Sequence, residues 1–330
     1  MPITDCDCDA YDFQFEEGVH TLGDFAFMCT EHYLIGKGAY NKVFTCYNIY
    51  SLERFAIKVY PTKDAFLHEF HFFYKFQEDF EKHSCVVARS LAADLDKMGP
   101  YFGIVLDLFE YDIWKLTQKR QLHFSEGLLV VASIGGALHY LGQKCIVHGD
   151  VKTNNILISQ SRVKVVLADF GNAVDCFAVT EGEMKAPRTL CTRYYRPPEI
   201  VGQNLAEASF LCSPAIDLFA FGASLWEVGV SVSCSFAPVV AARPVHREYL
   251  LFRDSDCIKE YARLIGGGKV LNGPWLERVH RCGDFAEMVL ALTHPDPQER
   301  RKLVVEHPYF MDTFLPDCYK DVIEFVLRAP

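Results

Sequence analysis

His148-Gly149-Asp150-Val151-Lys152-Thr153-Asn154-Asn155, followed at a spacing that a short β-hairpin fills by Asp169-Phe170-Gly171, is the stretch on which the reading of this chain turns. It holds two carboxylates, a lysine and carboxamides. The residues between, Ile156 to Ile158 and Val163 to Ala168, are rich in β-branched side chains, as short strands are. Brought into a cleft, such side chains can hold a divalent metal, a triphosphate and an attacking hydroxyl.

Upstream, Gly36-Lys37-Gly38-Ala39-Tyr40-Asn41 lies between strand-like runs rather than between a strand and a helix. That excludes a dinucleotide fingerprint, which needs a helix after its glycines, and no Gly-Lys-Ser/Thr follows as a Walker loop requires. A glycine-rich hairpin can instead lie over phosphates, because Gly36 and Gly38 let backbone amides approach closely, although in isolation an ordinary hairpin turn is the better reading. Ala56-Ile57-Lys58 then puts a lysine inside a strand. Its charge needs a partner, and Glu69 on the next helix supplies one.

The surrounding pattern gives two textures. Tyr33 to Phe44, Glu53 to Tyr60 and Tyr101 to Phe109 read as strands. Between the last two, Asp64 to Phe80 places Phe66, Phe70, Phe73, Phe76 and Phe80 at helical steps. Beyond Tyr111 the chain turns helical. Ser125 is expected to cap Gly127 to Gly142, and Pro214 to Gly229, Cys257 to Ile265, Asp284 to Leu292 and Arg301 to Glu306 follow. A mainly β lobe precedes a mainly helical one, with the boundary near Phe109 to Asp112.

With Pro197-Pro198-Glu199 closing the series, these motifs in this order resemble those of the protein-kinase superfamily over about Tyr33 to Phe310. The resemblance implies an α+β, bilobal fold: a small β-rich N-lobe with one main helix (31–108) and a larger helical C-lobe (109–312). An acidic N-terminal extension (1–30) and a C-terminal tail (313–330) flank them. It implies ATP and Mg²⁺ as cofactors. Lys58 would hold the α- and β-phosphates and pair with Glu69, with Glu78 the alternative because the spacing to Glu69 is short for the family. Asp150 would accept or orient the hydroxyl, Lys152 would neutralise the γ-phosphate, and Asn155 and Asp169 would bind the metal. Gly36, Gly38 and Val43 would cover the nucleotide. Leu106 resembles the residue guarding the space behind adenine, with backbone contacts to the base from Asp107 and Phe109 and with Asp112 near the ribose; a plain buried strand end is the competing reading there. Glu199 with Arg300, and Asp217 beneath the catalytic loop, resemble structural supports.

Thr192-Arg193-Tyr194-Tyr195-Arg196-Pro197-Pro198-Glu199 is similar to the segment found in the cyclin-dependent, mitogen-activated, dual-specificity Tyr-regulated and SR-protein kinase group. Arg196 is that group's mark, and Lys152 with Thr192 implies Ser/Thr specificity. Protein substrates that are basic, or carry Pro after the acceptor, are expected. Three positions depart from the family: Asn41 stands for the third loop glycine, Pro197 for the usual Ala and Gly149 for the usual Arg. The last removes a cation that elsewhere holds an activation-segment phosphate, so activity without phosphorylation at Thr189 is expected, although Arg188 and Arg193 lie nearby.

Composition narrows the alternatives. With half of its 330 residues apolar and 23% charged, the chain has the makings of a sizeable core. Its 33 basic and 43 acidic side chains leave a net charge of −10, so no nucleic-acid or membrane partner is expected. Thirteen scattered cysteines and an acidic start without an apolar leader imply reduced thiols in the cytoplasm or nucleus. Cys6 and Cys8 among aspartates read as a solvated tail rather than a metal site. From Leu218 to Ala242 the only charge is Glu227, and a helix buried in protein is preferred to a membrane span. Two rival functions stay open: a catalytically dead kinase fold acting as scaffold, and a small-molecule kinase.

Overall fold

The protein is described here by a computed structural model covering residues 18–28, 30–38, 41–77, 90–94, 102–159, 161, 163–180, 190–201, 213–233, 250–252, 254–266 and 273–306. Cys6, Cys8, Glu78, Arg188 and Thr189 lie outside these residues. The chain divides into two compact units, with the change between Leu108 and Phe109.

The first unit is a curled antiparallel sheet in the order β1-β2-β4-β5-β7-β6, with β3 also paired to β4. Its strands are β1 (Val19–Leu22), β2 (Phe25–Met28), β3 (Leu34–Lys37), β4 (Lys42–Asn48), β5 (Arg54–Tyr60), β6 (Ser90–Asp94) and β7 (Phe102–Asp107). Strand alternation sorts β5 cleanly. Ile57 and Val59 join Leu22, Phe27, Phe44, Cys46 and Val105 in one apolar cluster. Lys58 and Tyr60 point the other way, to helix α1 (Lys63–Gln77), which buries Phe66, Phe72, Phe73 and Phe76. Thr62 opens α1, its hydroxyl oxygen accepting the Ala65 amide at 3.4 Å.

Residues 19–28, within the stretch expected as an N-terminal extension, add strands to this sheet: β1 and β2 form a hairpin, and β2 pairs with the second half of β4, just past the part that pairs with β3. Only four residues long, with a single fully buried side chain in Leu22, β1 carries too little alternation to declare itself.

The second unit begins with β8 (Tyr111–Asp112), α2 (Ile113–Lys119), α3 (Phe124–Gln143) and β9 (Ile146–Val147). The hairpin β10 (Ile156–Ser159) and β11 (Lys164–Leu167) follows, then β12 (Val174–Asp175) and α4 (Cys176–Thr180). Five of these strands make two small sheets, β11-β10-β8 and β12-β9. Helices α5 (Ala215–Ser233), α6 (Ser255–Gly266), α7 (Gly273–His280), α8 (Ala286–Leu292) and α9 (Pro297–Glu306) complete the described part. Ser125 does not cap α3. The helix starts at Phe124, and the His123 amide donates to the Glu126 carboxylate at 2.9 Å, which moves the cap two residues earlier. Both α3 and α5 are long and apolar enough to cross a bilayer, yet 83% of the most apolar window in α5 is buried inside the protein. Burial in protein accounts for the apolar run after Asp217 up to Ser233.

Candidate active site

In the first unit a row of paired residues crosses three strands: Gly36 lies opposite Val43, and Val43 opposite Lys58. The glycine turn is closed by the Gly38 amide donating to the Asn41 carbonyl at 2.9 Å. A Cβ on Gly38 would sit 2.8 Å from Asn41 Oδ1, so the residue standing where the family has its third glycine packs directly beneath this one. Lys58 Nζ lies 2.8 Å from Glu69 Oε1 and 2.6 Å from Oε2, with side-chain exposures of 5% and 1%. A lysine buried to that depth is kept charged by its partner. Glu69 also accepts a hydrogen bond from the Tyr60 hydroxyl at 2.7 Å. Leu106 and Asp107 are the last residues of β7, opposite Ala56 and Phe55.

In the second unit the β10–β11 hairpin does the positioning. Its base is closed by the Ala168 amide on the Asn155 carbonyl at 2.8 Å, which sets Asp169 beside Asn155. Asp169 has φ +68°, the left-handed region that a non-glycine residue occupies only when its surroundings impose it. Phe170, fully buried, meets the His148 ring edge-to-face at 4.9 Å. Desolvation pushes the His148 pKa down, and its Nε2 donates to the Ala168 carbonyl at 3.0 Å.

Asp150 uses both of its carboxylate oxygens. Oδ1 accepts from the Thr192 amide at 3.0 Å and from its hydroxyl at 2.7 Å, while Oδ2 accepts from Lys152 Nζ at 2.7 Å. Lys152 also donates to the Thr192 hydroxyl at 2.9 Å, so Thr192 bridges the carboxylate and the ammonium. The Asn155 amide nitrogen donates to the Asp150 carbonyl at 2.8 Å, which turns the amide oxygen to the other side. That oxygen and the Asp169 carboxylate are hard donors of the kind Mg²⁺ takes, in the small number it needs when substrate phosphates complete its shell. Asp112 caps α2, accepting the Lys115 amide at 2.7 Å. Phe109 lies under Lys164, whose Nζ is 5.9 Å from its ring centre.

Beneath these residues runs α5. Asp217 accepts the His148 amide at 2.6 Å and the Gly149 amide at 2.9 Å, and burial pushes its carboxyl up to about 7 against those two bonds. Glu199 and Arg300 form the expected pair at 2.9 and 3.1 Å. Arg196 donates through Nε to the carbonyls of Leu190, 3.1 Å, and Cys191, 2.9 Å.

Two participants escaped sequence reasoning. Glu227, a buried residue of α5, accepts from the Tyr195 hydroxyl at 2.7 Å and from the Thr153 hydroxyl at 2.8 Å. Its signal was present in the sequence: a lone charge within an apolar run must have a buried partner. Tyr60 is the other, and its place two residues after Lys58 was the only hint.

The site and fold define a protein kinase, and the chain belongs to that family: the protein kinase domain matches residues 29–310. Among its relatives is a Dictyostelium discoideum protein named "Probable serine/threonine-protein kinase glkA", 29% identical over 51% of this chain and 33% of its own length. Drosophila melanogaster cyclin-dependent kinase 12 is 29% identical over 45% of this chain and 12% of its own. Mouse "Inactive serine/threonine-protein kinase PLK5" is 25% identical over 86% of this chain and 43% of its own. The chain thus spans less than half the length of these curated relatives.

Proposed function

We propose that the chain is an active protein serine/threonine kinase that transfers the γ-phosphate of ATP to hydroxyls of protein substrates in the cytoplasm or nucleus. The observation that carries this is the closed network among Asp150, Lys152, Thr192 and Asn155, with every contact between 2.7 and 3.3 Å. Pairing of Lys58 with Glu69 and the adjacency of Asn155 and Asp169 support it, since a dead scaffold has no need to keep these groups in working geometry. Asn155 and Asp169 would hold Mg²⁺, which when bound supplies positive charge to the transferring phosphoryl group. Asp150 takes or orients the acceptor proton, and Lys152 offsets charge on the γ-phosphate. Lys58 holds the α- and β-phosphates beneath Gly36, Gly38 and Val43. In this reading Asp107 and Phe109 would offer backbone groups to the base and Asp112 would serve the ribose.

Two finer readings rest on the segment before Thr192. A substrate whose hydroxyl reaches Asp150 passes Thr192 and its neighbour Cys191. Cys191 has φ +58°, and its carbonyl already accepts from Arg196, so a substrate amide arriving there would have to share that acceptor. Proline after the acceptor loses nothing, having no amide hydrogen. Basic substrates are favoured by the charge of −10.

Phosphorylation of the activation segment is not required in this reading. A Cβ on Gly149 would lie 2.6 Å from both the Asn172 carbonyl and Leu190 Cδ2, so no cationic side chain fits there to receive a phosphate. An apolar cluster of Val147, Val174, Leu190, Cys191, Ile200 and Ile216 holds the end of the segment instead, with the Cys191 amide bonded to the Gly149 carbonyl.

The test is transfer of labelled γ-phosphate, with Mg²⁺, to a peptide array that varies the residue after Ser or Thr and to a metabolite panel, with Lys58→Met and Asp169→Asn as controls. Peptide phosphorylation lost in both folded variants is expected. Transfer to metabolites alone, or undiminished rates in the variants, refutes the reading.

A further inference from the structure

Strand β5 and helix α1 are joined by only two residues, Pro61 and Thr62. Pro61 has a ring-fixed φ and Thr62 is spent on starting the helix, its hydroxyl toward the Ala65 amide and its carbonyl accepting the Phe66 amide at 3.2 Å. So short and committed a link leaves α1 little freedom to turn against β5. Tyr60, the last strand residue before it, is 1% exposed and shares with Lys58 the strand face that α1 covers. Its ring packs edge-to-face on Phe66, one turn into the helix, at 5.8 Å. Its hydroxyl donates to Glu69 Oε2 at 2.7 Å.

Glu69 is therefore held by two donors from one strand, Lys58 and Tyr60. A carboxylate bound only by a lysine can follow the lysine's four-carbon chain through several positions. A second donor two residues along the strand fixes its distance from the strand as well. We propose that Tyr60 is a positioning residue that, with the two-residue link, holds Glu69 and hence Lys58 in the phosphate-binding arrangement by contacts internal to this unit, without a partner protein to seat the helix. The proposal rests on the kinase reading above, in which Lys58 meets nucleotide phosphates.

The experiment measures ADP and adenosine affinity and phosphate transfer for the full chain and for Tyr60→Phe, which keeps the ring and its packing and removes only the hydroxyl. Loss of one hydrogen bond to a charged group predicts about a tenfold fall in ADP affinity and in kcat. Adenosine affinity, blind to Lys58, should change less than about twofold, and the wild-type chain alone should show full activity with no added protein. Equal losses for ADP and adenosine would make Tyr60 a packing residue and overturn the proposal, as would unchanged ADP affinity. Should Tyr60→Phe fail to fold, a Gly-Ser-Gly insertion between Pro61 and Thr62 decides: it removes no side chain but frees the helix, and the same selective loss of ADP binding is expected. Undiminished ADP binding by the insertion variant overturns the proposal. A wild-type chain that binds no ADP refutes the kinase reading itself, a result distinct from either.

Discussion

Replacing Glu227 by glutamine and by alanine separates what its charge does from what its hydrogen bonds do. Burial pushes this carboxyl from 4.5 up to about 7, against the opposing pull of the Tyr195 and Thr153 hydroxyls. A carboxyl whose folded-state pKa lies above its unfolded value holds its proton more tightly in the folded chain. Its effect on stability is neutral below about pH 4.5, turns unfavourable as pH rises through that window and levels off above about 7. At about 1.36 kcal/mol per pH unit, the full penalty is roughly 3 kcal/mol. Glutamine cannot ionise, yet its amide can accept from one hydroxyl and donate to the other. Glu227→Gln should therefore lie within about 1 kcal/mol of the wild type at pH 5 and exceed it by up to roughly 3 kcal/mol at pH 8. Alanine leaves the buried Thr153 and Tyr195 hydroxyls without their partner, at about 1–3 kcal/mol each, so it should be the least stable of the three at pH 5.

Urea unfolding at pH 5, 6, 7 and 8, followed by tryptophan fluorescence, measures all three proteins. Asp217, raised from 3.8 to about 7, loses stability in the same direction as pH rises. His148, lowered by burial, loses it as pH falls below its unfolded value of 6.5. Both are common to every variant, so the difference between wild type and Glu227→Gln isolates Glu227. A difference that stays flat from pH 5 to 8, or grows in favour of the wild type, refutes the reasoning.

Gly149→Ala should destabilise the fold by about 1–3 kcal/mol, because its φ of +75° is unfavourable for alanine and the added carbon meets a carbonyl and Leu190; a melting curve checks this. Phosphatase treatment and Thr189→Ala should each leave peptide phosphorylation within about tenfold of the untreated chain, equivalent to less than roughly 1.4 kcal/mol of barrier. A larger loss in both would show that the apolar seating of Leu190 and Cys191 does not suffice.

The sequence made the two-unit order legible because its signals were local and redundant. The aromatic steps of α1 and the β-branched hairpin before Asp169 each announce their element over short spans. The Lys58–Glu69 pair was equally readable, since a lysine in a buried strand demands a nearby acid. Elements with weaker local signals stayed hidden. The hairpin β1–β2 owes its place to pairing with β4, a contact that strand propensity alone does not encode. The cap of α3 moved from Ser125 to His123 because Glu126 answers the His123 amide, a bond that outweighs the usual preference for serine at the cap. Helix α7 went unread because eight residues starting with Gly273-Pro274 offer little periodic pattern.

Glu69, Asp217 and Glu227 share a design that bears on why charges are kept inside this protein at all. Each is almost fully buried, and each accepts from two donors: Lys58 and Tyr60, the amides of His148 and Gly149, and the hydroxyls of Thr153 and Tyr195. For Asp217 and Glu227 the bonds do not offset burial, since both carboxyls are raised to about 7. Stability therefore does not explain their retention, and apolar side chains of similar volume would serve it as well or better. What an apolar contact lacks is direction: it tolerates sliding, whereas a carboxylate with both oxygens engaged fixes two segments in one register. Asp217 ties α5 to the loop before Asp150, and Glu227 ties the same helix to Thr153, next to Lys152, and to Tyr195, three residues after Thr192. The Asp150, Lys152 and Thr192 contacts all run between segments fixed in this way. On this hypothesis Glu227→Gln, which keeps the register, should retain phosphate transfer at pH 8, while Glu227→Ala should lose it even under conditions where the fold survives.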